Sequence, residues 1–259
     1  MPKPAPRKQF PWRFVVSLSF WILILAGAAF ATKEVRQFMM TDPHFKVKPT
    51  ETGITFEGVQ YAPLAKIKQV FAPDFGLSAF HMPLDERRRR LLAIDWVEDA
   101  SLTRLWPNRL VVRIRERKPV AFVHLPAGRY LLIDAEGFLL SPPPRVRFDF
   151  PVLTGITDDE PEADRKERVL ASEALLANLG DASKQISEVN AGSVENLRIT
   201  TQLDHNAVEL WMGDRNFSSR YQHFIAHYPE IRKTSEDVAV FDLRIDDRIT
   251  TKDDGSKAR

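Results

Sequence analysis

Cysteine is absent from all 259 residues, which removes disulfides, zinc–thiolate sites and thiol nucleophiles without fixing the redox compartment. Also missing are a G-x-S-x-G elbow, a glycine-rich phosphate loop and a dinucleotide fingerprint, so hydrolase and nucleotide-binding classes find no local support. A basic excess is lacking once position is considered. Four of the 37 lysines and arginines (Lys3, Arg7, Lys8 and Arg13) precede the first apolar run, which leaves 33 basic against 35 acidic residues beyond Thr32. A body so balanced carries no electrostatic footprint for nucleic acid. It is still 44% apolar, enough for one large or two small globular domains.

The stretch "FVVSLSFWILILAGAAFAT", residues 14–32, carries no charge. At about 1.5 Å per residue it nearly spans a hydrocarbon core of about 30 Å. With basic residues before it and a mixed Lys33, Glu34 and Arg36 after it, the positive-inside rule predicts a cytoplasmic N-terminus and an exported body. Ala29-Phe30-Ala31 also fits a signal-peptidase site, so a cleaved leader is the alternative; both readings export the rest. Residues 33–52 are polar, contain Pro43 and Pro49 and show no clean period, which predicts a stem.

Beyond the stem, Ile54 to Ala62 reads as a strand with an irregularity at Gly58. A helix after Pro63 buries Leu64, Ile67 and Phe71, and a second near Pro83 buries Leu84, Leu91 and Leu92. Arg87 to Arg90 reads as a solvated face, with an acidic partner or lipid headgroups as the alternative it would serve. Strands at Val97 to Leu105 and Arg109 to Arg117 flank a Trp106-Pro107-Asn108 turn. The order strand, helix, helix, strand, strand is that of a POTRA domain, an α+β module. Glu116 to Pro119 interrupts an otherwise apolar, alternating run. Pro119 cannot donate to a ladder, so either sheet pairing changes partner there or Pro119 lies on the edge of one continuous sheet.

The remainder predicts a β-rich domain with two helices. A hairpin at Tyr130 to Leu140 turns at Asp134-Ala135-Glu136-Gly137. A short strand covers Pro151 to Ile156, and a helix between Ala163 and Leu179 turns Val169, Leu175, Leu176 and Leu179 inward. Strands follow at Ile186 to Asn190, Leu197 to Gln202 and Val208 to Met212. Phe217, Tyr221, Phe224 and Tyr228 form an aromatic stripe at helical spacing, read as core. Finally, Val238 to Thr250 alternates as one half-buried strand, with Ala239, Phe241, Leu243 and Ile245 facing in.

Catalytic candidates are weak. His223 and His227 sit at i, i+4, but Phe224 stands where a metalloprotease motif needs glutamate. Asp158, Asp159, Glu160 and Glu162 read as a loop and helix start rather than an acid–base pair, although an exported hydrolase is the reading they would serve.

The short basic tail, the single apolar run, the POTRA-like order, "WVEDASLTRLWPNRLVVRIRERKPVA", "LLIDAEGFLL" and "FPVLTG" together resemble the FtsQ/DivIB family of bacterial cell-division proteins over nearly the whole chain. The resemblance implies a cytoplasmic tail (1–13), a transmembrane helix (14–32), a stem (33–52), a POTRA-like domain (53–118), an FtsQ-type β-domain (119–250) and a tail (251–259). It favours the change of sheet at Pro119. It also implies a non-enzymatic septal scaffold of the inner membrane, without metal or cofactor, whose body is periplasmic. Its expected partners are FtsB/DivIC-type and FtsL-type small bitopic proteins and the septal synthase complex. Partner contacts are expected at Asp242, Leu243, Arg244, Ile245, Asp246, Arg248 and Ile249, on a terminal strand to which a partner strand adds. The plainer alternative is an ordinary edge strand kept soluble by Arg244 and Asp246. A POTRA-bearing component of envelope protein assembly is a further alternative, though such proteins end in a long barrel.

Overall fold

A computed structural model describes residues 12–49, 53–126, 128–234, 238–246 and 248–252. Lys3, Arg7 and Lys8 lie outside the described residues. The chain divides into two compact units, Met1–Arg115 and Glu116–Arg259.

The first unit opens with helix α1, Trp12–Thr41, about 45 Å long. Its Val16–Thr41 portion is apolar and long enough to cross a membrane, and none of its most apolar window is buried in protein. The helix runs nine residues past the expected end of the span. Lys33 to Thr41 contains no Pro or Gly, so loss of hydropathy does not end the helix; Asp42 does, its side chain accepting from the His44 amide at the start of a 3-10 turn over Pro43–Phe45.

The expected stem is therefore a correction. Phe45 and Val47 are buried, and their backbones pair with the segment around Ser78 through Val47 N to Leu77 O (2.9 Å) and Ala79 N to Phe45 O (2.8 Å). Ser78 Oγ donates to Met39 O at 2.8 Å, tying this region to α1.

The module that follows contains β1 (Ile54–Glu57), α2 (Leu64–Val70), α3 (Leu84–Leu92), β2 (Val97–Leu105) and β3 (Arg109–Glu116). Its sheet runs β1-β3-β2, with β1 parallel to β3. The expected first strand stops short, because Gly58 adopts a positive φ of 78° and a Cβ there would meet Ile114 O at 2.2 Å. Ile67, Phe71 and Leu91 fill the core, whereas Leu64 stays exposed. A second correction concerns Arg87, which is buried and bidentate to buried Asp74, with Nε to Oδ2 at 2.6 Å and Nη2 to Oδ1 at 2.8 Å. The paired charge replaces an apolar residue on the inner side of α3. Arg88 reaches Ala100 O and Asp99, and Arg90 reaches Glu86. The run is thus largely bonded within its own module.

The second unit is a nine-stranded sheet. In chain order its elements are β4 (Pro119–His124), β5 (Tyr130–Asp134), β6 (Leu139–Leu140), β7 (Val152–Thr154), α4 (Glu162–Leu179), β8 (Ile186–Asn190), β9 (Leu197–Leu203), β10 (Asn206–Gly213), α5 (Phe217–Thr234), β11 (Val240–Asp242) and β12 (Thr250–Lys252). In space the strands run β12-β11-β10-β9-β8-β7-β4-β5-β6. Asp134 is buried and anchors the β5–β6 turn by accepting from the amides of Phe138 (2.7 Å) and Glu136 (3.1 Å). Its other oxygen takes Arg117 Nη1 at 2.9 Å, and the Arg117 guanidinium lies 3.9 Å from the Phe138 ring centre. Two landmarks far apart in sequence thus form one bonded corner.

Val169, Leu175 and Leu179 from α4 and the stripe Phe217, Tyr221, Phe224 and Tyr228 from α5 share one core with inward residues of β4, β5 and β7–β11. The aromatic stripe is core, with Phe224 and Phe241 rings 5.0 Å apart. Each such ring contributes about 1.5–3 kcal/mol through burial alone.

Candidate partner-binding edge

The terminal segment departs from the expected single strand. Phe241 and Leu243 are buried, but Ala239 is exposed and Ile245 is 62% exposed. β11 is only three residues long, parallel to β10 with Leu210 opposite Phe241 and Trp211 opposite Asp242. Leu243 N extends this pairing by one bond, to Trp211 O at 3.0 Å. At Arg244 the ladder stops for a local reason. Its N–H donates to Asp242 Oδ1 (3.1 Å) and its C=O accepts Arg220 Nη2 (2.7 Å), so both ladder groups are taken by side chains. The chain then turns, with Arg248 N reaching Ile245 O at 3.1 Å, and returns as β12, antiparallel to β11 with Thr251 opposite Phe241.

This relocates the sheet end. The outer side of β11 is occupied by the chain's own β12, so Asp242 to Asp246, Arg248 and Ile249 do not form the open edge; β12 does. Leu243 is buried and supports the turn from below, whereas Arg244, Ile245, Asp246 and Arg248 are exposed and Ile249 half-buried. Thr250 and Thr251, expected to end one strand and begin a tail, lie on the end strand and are exposed. Among the described residues nothing pairs with the outer side of β12.

Arg220 organises the turn. It comes from the first turns of α5, is only 5% exposed and spends three donors at once: Nε on Asp246 Oδ1 (2.6 Å), Nη1 on Met212 O (2.6 Å) and Nη2 on Arg244 O (2.7 Å). Asn216 Nδ2 takes the other Asp246 oxygen at 3.0 Å. These hydrogen bonds, Arg220 first, hold the Asp246 carboxyl below the ordinary aspartate range. Gly213 lets Arg220 through, for a Cβ at its φ of 73° would lie 2.9 Å from Nη1.

On the solvent face beside β11, Arg244 forms a fork with Asp242, Nη2 to Oδ2 at 2.6 Å and Nε to Oδ1 at 2.9 Å, and Nη1 reaches Asn196 Oδ1 at 2.9 Å. The Asp242 hydrogen bond is the main reason the Arg244 guanidinium is held further toward its charged form. Its Cζ lies 4.9 Å from the Trp211 ring centre, and Arg198 Cζ lies 4.0 Å from the same ring. Trp211 Nε1 donates to Glu209 Oε1 at 2.7 Å. Asn196, Arg198, Trp211 and Arg220 were not singled out from the sequence. The available signal was a tryptophan at an outward position, since Val208, Leu210 and Met212 take the inward ones.

The other candidate chemistry is structurally engaged. Asp158 pairs with Arg129, and Glu160 accepts from the Thr157 amide and hydroxyl (both 3.2 Å). The His223 and His227 rings lie 4.5 Å apart, with His227 Nδ1 2.9 Å from His223 O. Among the described residues no group of three His, Asp or Glu side chains is arranged to hold a metal.

Residues 121–244 match the family model for the C-terminal region of the cell division protein FtsQ/DivIB, and residues 52–117 match the FtsQ-type POTRA domain. Among similar proteins, the cell division protein FtsQ of Koribacter versatilis (strain Ellin345) is 31% identical over 97% of this chain and 73% of its own length. That of Myxococcus fulvus (strain ATCC BAA-855 / HW-1) is 28% identical over 71% of this chain and 65% of its own. That of Syntrophotalea carbinolica (strain DSM 2380 / NBRC 103641 / GraBd1) is 23% identical over 98% and 91%.

Proposed function

The chain belongs to the FtsQ/DivIB family of cell-division proteins, and from that premise we propose that it is a non-catalytic septal scaffold, joining division proteins outside the inner membrane. α1 anchors it as a single span with a cytoplasmic N-terminus. The POTRA module, with residues 53–118 as its extent, offers one docking surface. The β-domain, residues 119–252 once β12 is included, offers the other.

One observation carries the reading: the sheet ends at β12, whose outer side has no partner among the described residues, beside a turn bonded to Arg220 through Asp246 and Arg244 O. A partner's extended segment adds to that edge by main-chain hydrogen bonds. Asp242, Arg244, Ile245, Asp246, Arg248 and Ile249 flank it and select the partner, with Leu243 supporting them from the core. Exposed Ile245 supplies apolar area. Trp211 and Arg244 are residue types that dominate binding hot spots. The partners are FtsB/DivIC-type and FtsL-type bitopic proteins, which bring the septal synthase complex with them.

The test is affinity capture of the full-length protein from its own membranes in mild detergent, with Arg244→Glu in parallel. Recovery of small bitopic coiled-coil proteins with the septal synthase by the wild type, and their loss from a folded Arg244 variant, is the expected result. Equal recovery by both removes the site assignment. Recovery of barrel-assembly components instead overturns the scaffold reading.

A further inference from the structure

An apolar patch on the first unit lies far from the β12 edge in sequence and joins the end of α1 to the module that follows it. Phe45 is buried at its centre. Around that ring stand Phe38 (5.8 Å between centres), Phe80 (5.8 Å) and Trp106 (6.0 Å), all edge-on. These outer three are exposed: Phe38 by 58%, Phe80 by 36% and Trp106 by 73%. Leu77 and Leu105 extend the surface and are also exposed. Trp106, at the tip of the β2–β3 hairpin, packs one edge on Phe45 and leaves most of its ring outside, so with its neighbours it forms a contiguous exposed apolar patch.

The patch is held at a fixed depth. Phe38 is on the last turn of α1, and the Ser78 hydrogen bond to Met39 O fastens the Phe80 loop to the same turn. Arg104 braces that loop from β2, with Nε to Ala79 O at 2.8 Å and Nη2 to Met82 O at 2.6 Å. A helix about 45 Å long equals a bilayer with its headgroup layers, about 40–45 Å. The end of α1 therefore falls at headgroup depth, where tryptophan rings concentrate. Between α1 and Phe80 lies an open groove of about 500 Å³ lined by Thr32, Val35, Arg36, Met39 and Met40, with a mostly apolar surface.

We propose that this aromatic patch is a lipid-binding surface, seating the POTRA module on the outer headgroup layer of the membrane that α1 crosses. The occupant is phospholipid: rings at headgroup depth, an acyl chain in the groove beside α1, and Arg36 at its rim for the phosphate. The proposal rests on α1 being a membrane span but not on the identity of any division partner.

The test uses the full-length protein alone, in nanodiscs of phosphatidylethanolamine and phosphatidylglycerol whose lipids carry a nitroxide quencher either near the headgroup or near the chain end. Difference spectra against Trp106→Phe and Trp21→Phe isolate the two reporters. Trp21, mid-span on α1 and exposed in protein terms, is expected to lose emission with the deep label. Trp106 is expected to be blue-shifted, to lose emission with the shallow label and to be shielded from aqueous iodide. Quenching of Trp21 by the deep label with Trp106 iodide-accessible and unaffected by either label overturns the patch and leaves the span intact. Failure of the deep label to quench Trp21 overturns both.

Discussion

Arg220 and Asp246 meet across the gap between α5 and the β11–β12 turn, Nε to Oδ1 at 2.6 Å, with the arginine buried and the aspartate at the surface. The arginine gains from this pair but is positioned by the two carbonyls behind it, Met212 O and Arg244 O. Arg220→Met leaves both without their charged donor and is expected to cost about 3 kcal/mol. Arg220→Lys should recover only part, because an ammonium cannot serve three fixed directions. Urea unfolding followed through Trp211 fluorescence measures both; a loss below about 0.5 kcal/mol in the Met variant would show that the turn holds without the clamp.

The same pair sets an acid limit. Arg220 and Asn216 bind the ionised carboxylate, so the folded-state pKa of Asp246 lies below its unfolded value. The contribution is full above the ordinary aspartate pKa of about 3.9 and fades as pH falls through the lower folded value. Amide resonances of Leu243 and Arg244, followed by NMR, should hold steady at neutral pH and shift only under acid. Asp246→Asn should abolish that acid step; an unchanged step in the variant would assign it to another group.

Within the first unit, Asp74 and Arg87 are both buried and bonded chiefly to one another. Removing one charge strands the other, so Asp74→Leu or Arg87→Met alone should cost about 3–5 kcal/mol. The double variant, which replaces both by apolar groups, should restore most of the loss. A double-mutant cycle on the thermal or urea midpoint decides; additive losses would mean that the pair is not coupled.

Phe241 and Arg244 are three residues apart and answer oppositely to charge. Phe241→Asp places a carboxylate against the rings of Phe224 and Tyr228, and loss of the cooperative unfolding of the β-unit is expected. Arg244→Glu repels Asp242 at the surface and should leave near-ultraviolet circular dichroism close to wild type. Unfolding of the second variant would make Arg244 a structural residue rather than a recognition one.

Periodicity read the sequence well where a segment answers to its own neighbours. The stripe on α5 and the alternation of β9 and β10 follow from side chains meeting one common core. It read poorly where a distant charge intervenes. Arg87 looks like one of four solvated arginines until Asp74, thirteen positions earlier, comes into contact with it. Arg220 looks like the polar side of an amphipathic helix, yet together with Asp242 it ends β11. The alternation from Val238 to Thr250 is real, but a strand needs free backbone groups as well as alternating side chains, and Arg244 has none to give. At α1 the misreading has another source. Hydropathy marks where lipid contact ends, whereas helix termination needs a breaker, and none occurs before Asp42 and Pro43.

β12 follows every other strand of its sheet in chain order, and its partner β11 can pair with β10 only after α5 has crossed over. A polypeptide made from its N-terminus therefore has the rest of the sheet before this end exists. If the β12 edge is what a partner reads, docking doubles as inspection: a chain cut short, or clipped between α5 and Thr250, keeps α1 and most of the sheet but cannot enter the assembly.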